Sequence, residues 1–219
     1  MSTPLRILLA DDHEIFRHGL RSMLRTRNGW EVCAEAADGQ DAVEQARRLR
    51  PDVVIMDVTM PKMNGLEATR QIRKAMPRCE VLILTMHHSE SLAREVFAAG
   101  ARGYVLKSNA GDMVVSAVES LRLHKPFFCP EVSDLVLKAY IGESGDESRR
   151  ASPLAVLTPR ERELVQLIAE GKSTKEAAES LGISEKTAET HRANVMHKLD
   201  IHSVSEIVRY AIRNKLIEP

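Results

Sequence analysis

The stretch "PDVVIMDVTMP", from Pro51 to Pro61, decides the fold class. Val53, Val54, Ile55 and Met56 form an unbroken apolar run, the pattern of a strand buried on both faces of a parallel sheet. Asp57 follows at once, a group that is costly to bury unless paired, and Pro61 ends the strand soon after. Taken alone, Asp57 reads as a turn residue, because aspartate commonly accepts backbone N–H bonds at strand ends. Its meaning depends on which other side chains reach the same edge of the sheet.

Working outward, apolar runs alternate with helix-period segments. Strands are predicted at 6–10, 30–36, 53–56, 80–85 and 103–107. Helices are predicted at about 15–27, from 38–40 to about Arg50, after Gly65, at 91–100 and at 110–124. Five such repeats imply a doubly wound, five-stranded parallel sheet with right-handed crossovers. Beyond Pro126 the pattern breaks. "CPEVSDLVLKAYIG" has room for one linker helix, and the polar run 143–153 reads as a hinge. After it only helical patterns occur, beginning with Thr158 as cap, Pro159 at the first position and Glu161 closing a capping box. Further helices are predicted at about 174–181, 185–199 and 203–214. The expected division is 1–125, a linker 126–153, and an all-α four-helix domain 154–219.

Bulk properties exclude little. Lys plus Arg and Asp plus Glu both total 31, so the formal net charge of zero favours no polyanionic partner. No apolar run approaches the 18 or so residues of a membrane span, and "MSTPLR" enters a strand without the apolar core of a signal peptide. Three scattered cysteines, Cys33, Cys79 and Cys129, point to free thiols in a reducing cytoplasm. A cytoplasmic location is therefore expected, with no membrane partner.

In a doubly wound sheet, ligands sit beyond the carboxyl ends of the strands. Those ends carry Asp11 and Asp12, Asp57, Thr85 and Lys107. Three carboxylates in one cleft repel one another, and oxygen ligands of this kind suit Mg²⁺. Lys107 supplies a compact charge for a phosphoryl oxygen, Thr85 a hydroxyl, and Asp57 a carboxylate nucleophile. Each has a plain alternative: a helix N-cap pair, a solvated lysine, a strand-end threonine. Together they favour chemistry.

This constellation resembles the receiver domain of bacterial two-component response regulators over about residues 5–124. "LLADDH", "VIMDVTMPKMNGLE", "LILTMH" and "GARGYVLKS" carry the resemblance. It implies a flavodoxin-like receiver in which Asp57 accepts a phosphoryl group from a histidine kinase. It also implies Asp11, Asp12, Asp57 and the Thr59 backbone carbonyl at Mg²⁺, Thr85 and Tyr104 as a switch pair, and Lys107 at the phosphoryl group. Two positions depart from the pattern: Ser108 stands where a cis proline is common, and Met86 where a small residue is. With Thr59 and His87, Met86 is expected to influence the lifetime of an aspartyl phosphate. An aspartyl-nucleophile phosphatase would need a second Asp at position 59, where this chain has Thr59, so no enzyme is expected.

"STKEAAESLGISEKTAETHRANVMHKL" (173–199) reads as helix, tight turn, helix. That is the layout of a DNA-reading helix-turn-helix and equally of a generic helical hairpin. Ten Lys/Arg between Ser152 and Pro219 are matched by ten Asp/Glu, so charge does not decide. With Ala188, Val195 and Leu199 inward, Lys186, Glu189, Thr190, Ala193 and His197 face outward, and Arg192 and Lys198 suit phosphate contacts.

The segment from "LTPREREL" to "VMHKL" resembles the output domain of the LuxR/NarL/FixJ family of transcription regulators, over about 155–217. Ala188 and Lys175 are mild departures from it. The resemblance implies a recognition helix at 185–199 whose Lys186, Thr187, Glu189, Thr190, Arg192, Ala193, Asn194, His197 and Lys198 approach promoter DNA. It also implies a last helix that supports a homodimer, phosphorylation-controlled dimerisation and RNA polymerase as a further partner. Two modes of control are open: the unphosphorylated chain folds back on itself and hides the recognition helix, or receiver-driven dimerisation supplies the gain, the latter placed slightly ahead because paired half-sites on DNA reward two-fold pairing.

Overall fold

The computed structural model describes residues 3–86, 89–133, 157–214 and 216–217. Its first part alternates strand and helix: β1 (Leu5–Ala10), α1 (Glu14–Arg25), β2 (Trp30–Ala36), α2 (Gly39–Leu49), β3 (Val53–Asp57), α3 (Gly65–Ala75), β4 (Glu80–Thr85), α4 (Glu90–Ala98), β5 (Gly103–Leu106) and α5 (Ala110–Arg122). A sixth strand, β6 (Phe127–Phe128), pairs parallel to β5 and extends the expected five strands to six. Two residues beside Pro126 are too short a run for periodicity to betray. Phe128 is held by an edge-on contact with Phe97 of α4, ring centroids 5.2 Å apart. The linker-helix segment beyond residue 133 and the 143–153 hinge lie outside the described residues, as does His87.

All pairings are parallel, in the order β2-β1-β3-β4-β5-β6. Every residue of β3 is buried, as expected for a central strand covered on both faces. One face packs Leu8, Val54, Met56 and Ile83 against α2, α3 and α4; the other packs Ile7, Ile55, Leu82 and Leu84 against α1 and α5. The order of strand addition reverses between β1 and β3, so their carboxyl ends flank the crevice of the sheet.

Helix starts follow the local chemistry. Asp38, Asn64 and Ser89 each accept a backbone N–H bond at the start of α2, α3 and α4. The second part is helical: α6 (Pro159–Ala169), α7 (Thr174–Leu181), α8 (Glu185–Leu199) and α9 (Val204–Arg213). Thr158 and Glu161 form the expected capping box on α6, and Ser173 with Glu176 forms another on α7. Gly182 closes α7 at φ +64°, the left-handed conformation that the tight turn into α8 demands. Leu164, Val165, Ala177, Ala188, Val195, Ile207 and Ala211 form this part's own core.

Gly65 sets the floor of the crevice. A Cβ at this position would lie 1.8 Å from the Asp57 carbonyl oxygen, and the Gly65 N–H donates to the Val58 carbonyl at 2.8 Å. Backbone opposes backbone here, so no side chain can yield. Gly65→Ala should therefore destabilise the protein by about 1–3 kcal/mol, despite alanine's better helix propensity. Urea denaturation of the two proteins measures the difference.

Candidate functional site

At the carboxyl ends of β1, β3 and β5 the expected groups converge. Lys107 begins a 3-10 turn (Lys107–Asn109) after β5, and its Nζ lies 2.6 Å from Asp57 Oδ2 and 2.9 Å from Asp11 Oδ2. Asp57 Oδ1 accepts the Val58 N–H at 2.7 Å, and Asp11 Oδ1 accepts the His13 N–H at 2.9 Å. All three charged side chains are buried, and Nζ sits 5.0 Å from the centre of the Phe16 ring. Asp12 lies at the rim, exposed, with its carboxylate 2.8 Å from His13 Nδ1. Thr85 is buried at the end of β4, paired in register with Leu106. Thr59 is half-buried in the loop after β3.

The charge balance is unfavourable as it stands. Asp11, Asp12 and Asp57 carry three negative charges if all are ionised, and Lys107 offsets one. Burial pushes the Asp57 carboxyl up to about 7 from an ordinary 3.8; the Lys107 charge opposes the rise and the Asp11 charge adds to it. Ligand atoms of Asp11, Asp12, His13 and Asp57 all lie within 4.8 Å of one another. Asp11 Oδ2 is buried, and among the described residues the Lys107 ammonium at 2.9 Å is its charged partner. Hard oxygen donors, excess negative charge and two buried carboxylates sharing a single ammonium fit a divalent cation such as Mg²⁺.

Tyr104 is wholly buried at 0% exposed, within the core between the sheet and α4. The Lys107–Ser108 peptide is trans, and Met86 is 64% exposed beside the crevice. His13 directly follows the two aspartates and contacts both carboxylates, a placement that its residue type alone does not signal.

On α8, Ala188 and Val195 are buried as the register requires. Lys186, Thr187, Glu189, Thr190, Ala193, Asn194, His197 and Lys198 are exposed, and Arg192 is half-buried with its guanidinium donating to Thr174 Oγ1 at 3.1 Å. Lys198 is committed within the domain: its Nζ lies 2.9 and 2.7 Å from the two carboxylate oxygens of Glu161. It braces α8 against the start of α6.

Comparison with known proteins resolves the identity of the fold. The response regulator receiver domain family matches residues 7–119, and the luxR family of bacterial regulatory proteins matches residues 155–211. The chain belongs to the LuxR-family response regulators. The oxygen regulatory protein NreC of Staphylococcus carnosus is 35% identical over 216 residues, spanning 98% of this chain and 100% of that protein. The transcriptional regulatory protein DegU of Brevibacillus brevis is 35% identical over 221 residues, spanning 96% and 94%. Among solved structures, RcsB from Salmonella enterica serovar Typhimurium, bound to promoter rprA in the presence of the phosphomimetic BeF₃⁻, is 26% identical. It covers 94% of this chain and 98% of that one with a TM-score of 0.59. The response regulator described here is thus a transcription regulator that joins a receiver to a DNA-binding helical domain, and a receiver implies a histidine kinase as partner. Among the described residues, no helix is long and apolar enough to cross a membrane.

This response regulator also places its two parts in contact, through residues the sequence reading did not single out. Arg162, Glu163 and Gln166 of α6 are buried, although the helix-period pattern marks them as its polar face. Arg162 pairs with Glu67 of α3 at 3.0 Å, and Gln71 donates to Glu163 at 3.1 Å. Tyr210 of α9 is buried enough to raise its phenol pKa, with the charge of Glu95 on α4 adding to the rise and that of Arg162 opposing it. The two parts meet through α6, and the outward residues of α8 remain exposed.

Two outcomes follow from the acidic site. The folded state holds the Asp57 proton up to about pH 7, whereas the unfolded chain releases it near 3.8. Stability of the ion-free response regulator should therefore fall as pH rises through that window and level off above it. Urea midpoints measured against pH should show less of this fall in Asp57→Asn. Lys107→Ala removes a cation held between the Asp11 and Asp57 carboxylates, and a unit charge near 4 Å is worth on the order of 1–4 kcal/mol. Titration calorimetry should then show Mg²⁺ binding at least about fivefold more tightly, not more weakly.

Proposed function

We propose that this response regulator takes a phosphoryl group on Asp57 from a phosphohistidine of its partner kinase. An Asp57 carboxylate oxygen attacks phosphorus, the P–N bond breaks, and an acyl phosphate forms. The observation that carries this reading is the pairing of Asp57 with Lys107 beside Asp11, at the crevice of the sheet. Asp11, Asp12, Asp57 and the Thr59 carbonyl would hold Mg²⁺, which when bound supplies positive charge to the phosphoryl oxygens. Lys107 exchanges its Asp11 contact for a phosphoryl oxygen, and the Thr85 hydroxyl donates to another. Released from its burden of paired carboxylates, the site gains by accepting an anion that Lys107 can match. The chain's own turnover is limited to accepting the group and losing it to water.

The division at 1–125, 126–153 and 154–219 assigns this chemistry to the first part and DNA binding to the last. Helix α8 enters the major groove: Glu189 accepts from cytosine N4, Thr190 and Ala193 meet thymine methyl groups, and Lys186, Thr187, Arg192, Asn194 and His197 complete the approach. Lys198 would have to leave Glu161 to grip a phosphate. Phosphorylation favours a homodimer whose two α8 helices meet two half-sites, with RNA polymerase as the later partner and the cytoplasm as the setting.

Asp57→Asn should abolish both labelling by acetyl phosphate and formation of a beryllofluoride adduct; labelling that survives contradicts the assignment. Selection of DNA sequences with the activated protein should show Glu189→Ala with relaxed preference at one base pair, a change of about 1–3 kcal/mol. Lys198→Ala should lower helical-domain stability as well as affinity for every sequence, because it braces Glu161. A preference unchanged in Glu189→Ala contradicts the register of α8.

A further inference from the structure

His13 stands at the mouth of the acidic crevice, and the helix it begins does not account for its side chain. It is the N-cap residue of α1 but makes no side-chain cap bond, whereas Asp38, Asn64 and Ser89 each cap their helices. Ser, Thr, Asp and Asn satisfy a helix start, and an imidazole does not. The ring turns instead toward the two carboxylates that precede it. Its Nδ1 lies 2.8 Å from Asp12 Oδ1 and 3.3 Å from Asp11 Oδ1. The backbone N–H of the same residue donates to Asp11 Oδ1 at 2.9 Å, which ties the ring to the pair.

Those separations match the spacing of donors around one small ion. With metal-to-ligand distances of about 2.0–2.2 Å, neighbouring donors of one coordination sphere stand about 3 Å apart. One ligand atom each from Asp11, Asp12, His13 and Asp57 lies within 4.8 Å of the other three. The His13 and Asp12 side chains are 56% and 35% exposed, and with Thr59 and Glu170 they line a cavity of about 240 Å³. An ion can therefore arrive from solvent without disturbing the core. Mg²⁺ gains little from the fourth group, because it prefers oxygen donors and keeps several waters. An imidazole nitrogen favours borderline ions such as Zn²⁺, Co²⁺ and Ni²⁺.

We infer that His13 makes this site selective for a borderline divalent ion, Zn²⁺, which competes with Mg²⁺ and blocks loading of Asp57. The inference rests on the proposed roles of the acidic site and of Asp57, and deepens them. Three carboxylates and one imidazole supply four protein ligands, the number at which a Zn²⁺ site is closed. A closed site leaves no position for a phosphoryl oxygen, and it engages an oxygen of the carboxylate that must attack. Mg²⁺ retains exchangeable waters and so leaves that position open. His13 is thus the group through which the identity of the bound ion decides whether the receiver can respond.

The test uses the full chain, with titration calorimetry for the affinities of Zn²⁺ and Mg²⁺ and for the displacement of one by the other. Losing a group that merely orients a metal ligand commonly costs tenfold or more. The ratio of Zn²⁺ to Mg²⁺ affinity should therefore fall at least about tenfold in His13→Ala and in His13→Asn. The second variant keeps a residue suited to the helix start, and thermal unfolding verifies that both are folded. NMR of isotopically labelled histidine should show the His13 ring nitrogens shifted by Zn²⁺ that Mg²⁺ displaces, and unshifted by Mg²⁺ alone. With Mg²⁺ and beryllofluoride present, the Zn²⁺ concentration that halves the adduct, read by fluorine NMR, should be at least about tenfold higher in His13→Ala. An unchanged affinity ratio in both variants, unmoved His13 nitrogens, or an adduct that forms as readily with Zn²⁺ as with Mg²⁺ overturns the inference. Wild type that binds neither ion at this crevice overturns the divalent-ion reading itself, and wild type that forms no adduct in Mg²⁺ overturns the phosphoacceptor reading instead.

Discussion

Two buried carboxylates share one ammonium ion at the end of the sheet, and the rest of the structure is arranged around that crowding. Asp57 and Asp11 reach Lys107 Nζ at 2.6 and 2.9 Å because β1 and β3 are adjacent where the strand order reverses. Burial opposes ionisation of Asp57 strongly enough to bring its pKa to about 7, even with a lysine against it. Such a site is poised: it gains from a cation that relieves the carboxylates, and it then gains from an anion that the lysine and the cation can share. Neighbouring features hold this arrangement in place. Gly65 brings the start of α3 against the Asp57 carbonyl, and Asn64 caps that helix while presenting its own N–H to Gln166.

The same loop carries both the chemistry and the contact with the helical domain. Thr59 and Met60 are consecutive, one facing the crevice mouth and the other giving its carbonyl to α6. A polar clasp suits a reversible contact. Gln166, Arg162 and Glu163 lose little when they return to water, whereas an apolar interface of similar extent would resist separation. The buried pair Arg162–Glu67 acts in the same sense, since its attraction is offset by the cost of dehydrating both partners.

Much of this was legible in the sequence, for physical reasons. Buried parallel strands read as apolar runs, so β1, β3 and β4 were evident. The groups at their carboxyl ends could then be gathered at one edge by topology alone, which brought Asp11, Asp57 and Lys107 together before any coordinates. Capping chemistry is local, so Thr158 and Glu161 were legible as a box. β6 was not, because two residues carry no period. Nor was the burial of Arg162, Glu163 and Gln166: a polar stripe reads as a solvated face, and its partners Met60, Asn64 and Glu67 lie 95 to 106 positions away. The inward position of Tyr104 depends on how α4 packs, which residue type alone does not specify.

The central claim is that Asp57 is the group that accepts a phosphoryl. Its most direct measurement is chemical. The full chain is incubated with acetyl phosphate and Mg²⁺, reduced with borohydride, digested and mapped by mass spectrometry. Borohydride reduces an aspartyl phosphate, an acyl phosphate, to homoserine at the modified position. The account predicts homoserine at position 57, dependent on Mg²⁺, with Asp11 and Asp12 unchanged. Homoserine at either of those positions, or none at 57 under conditions that label the protein, would contradict it.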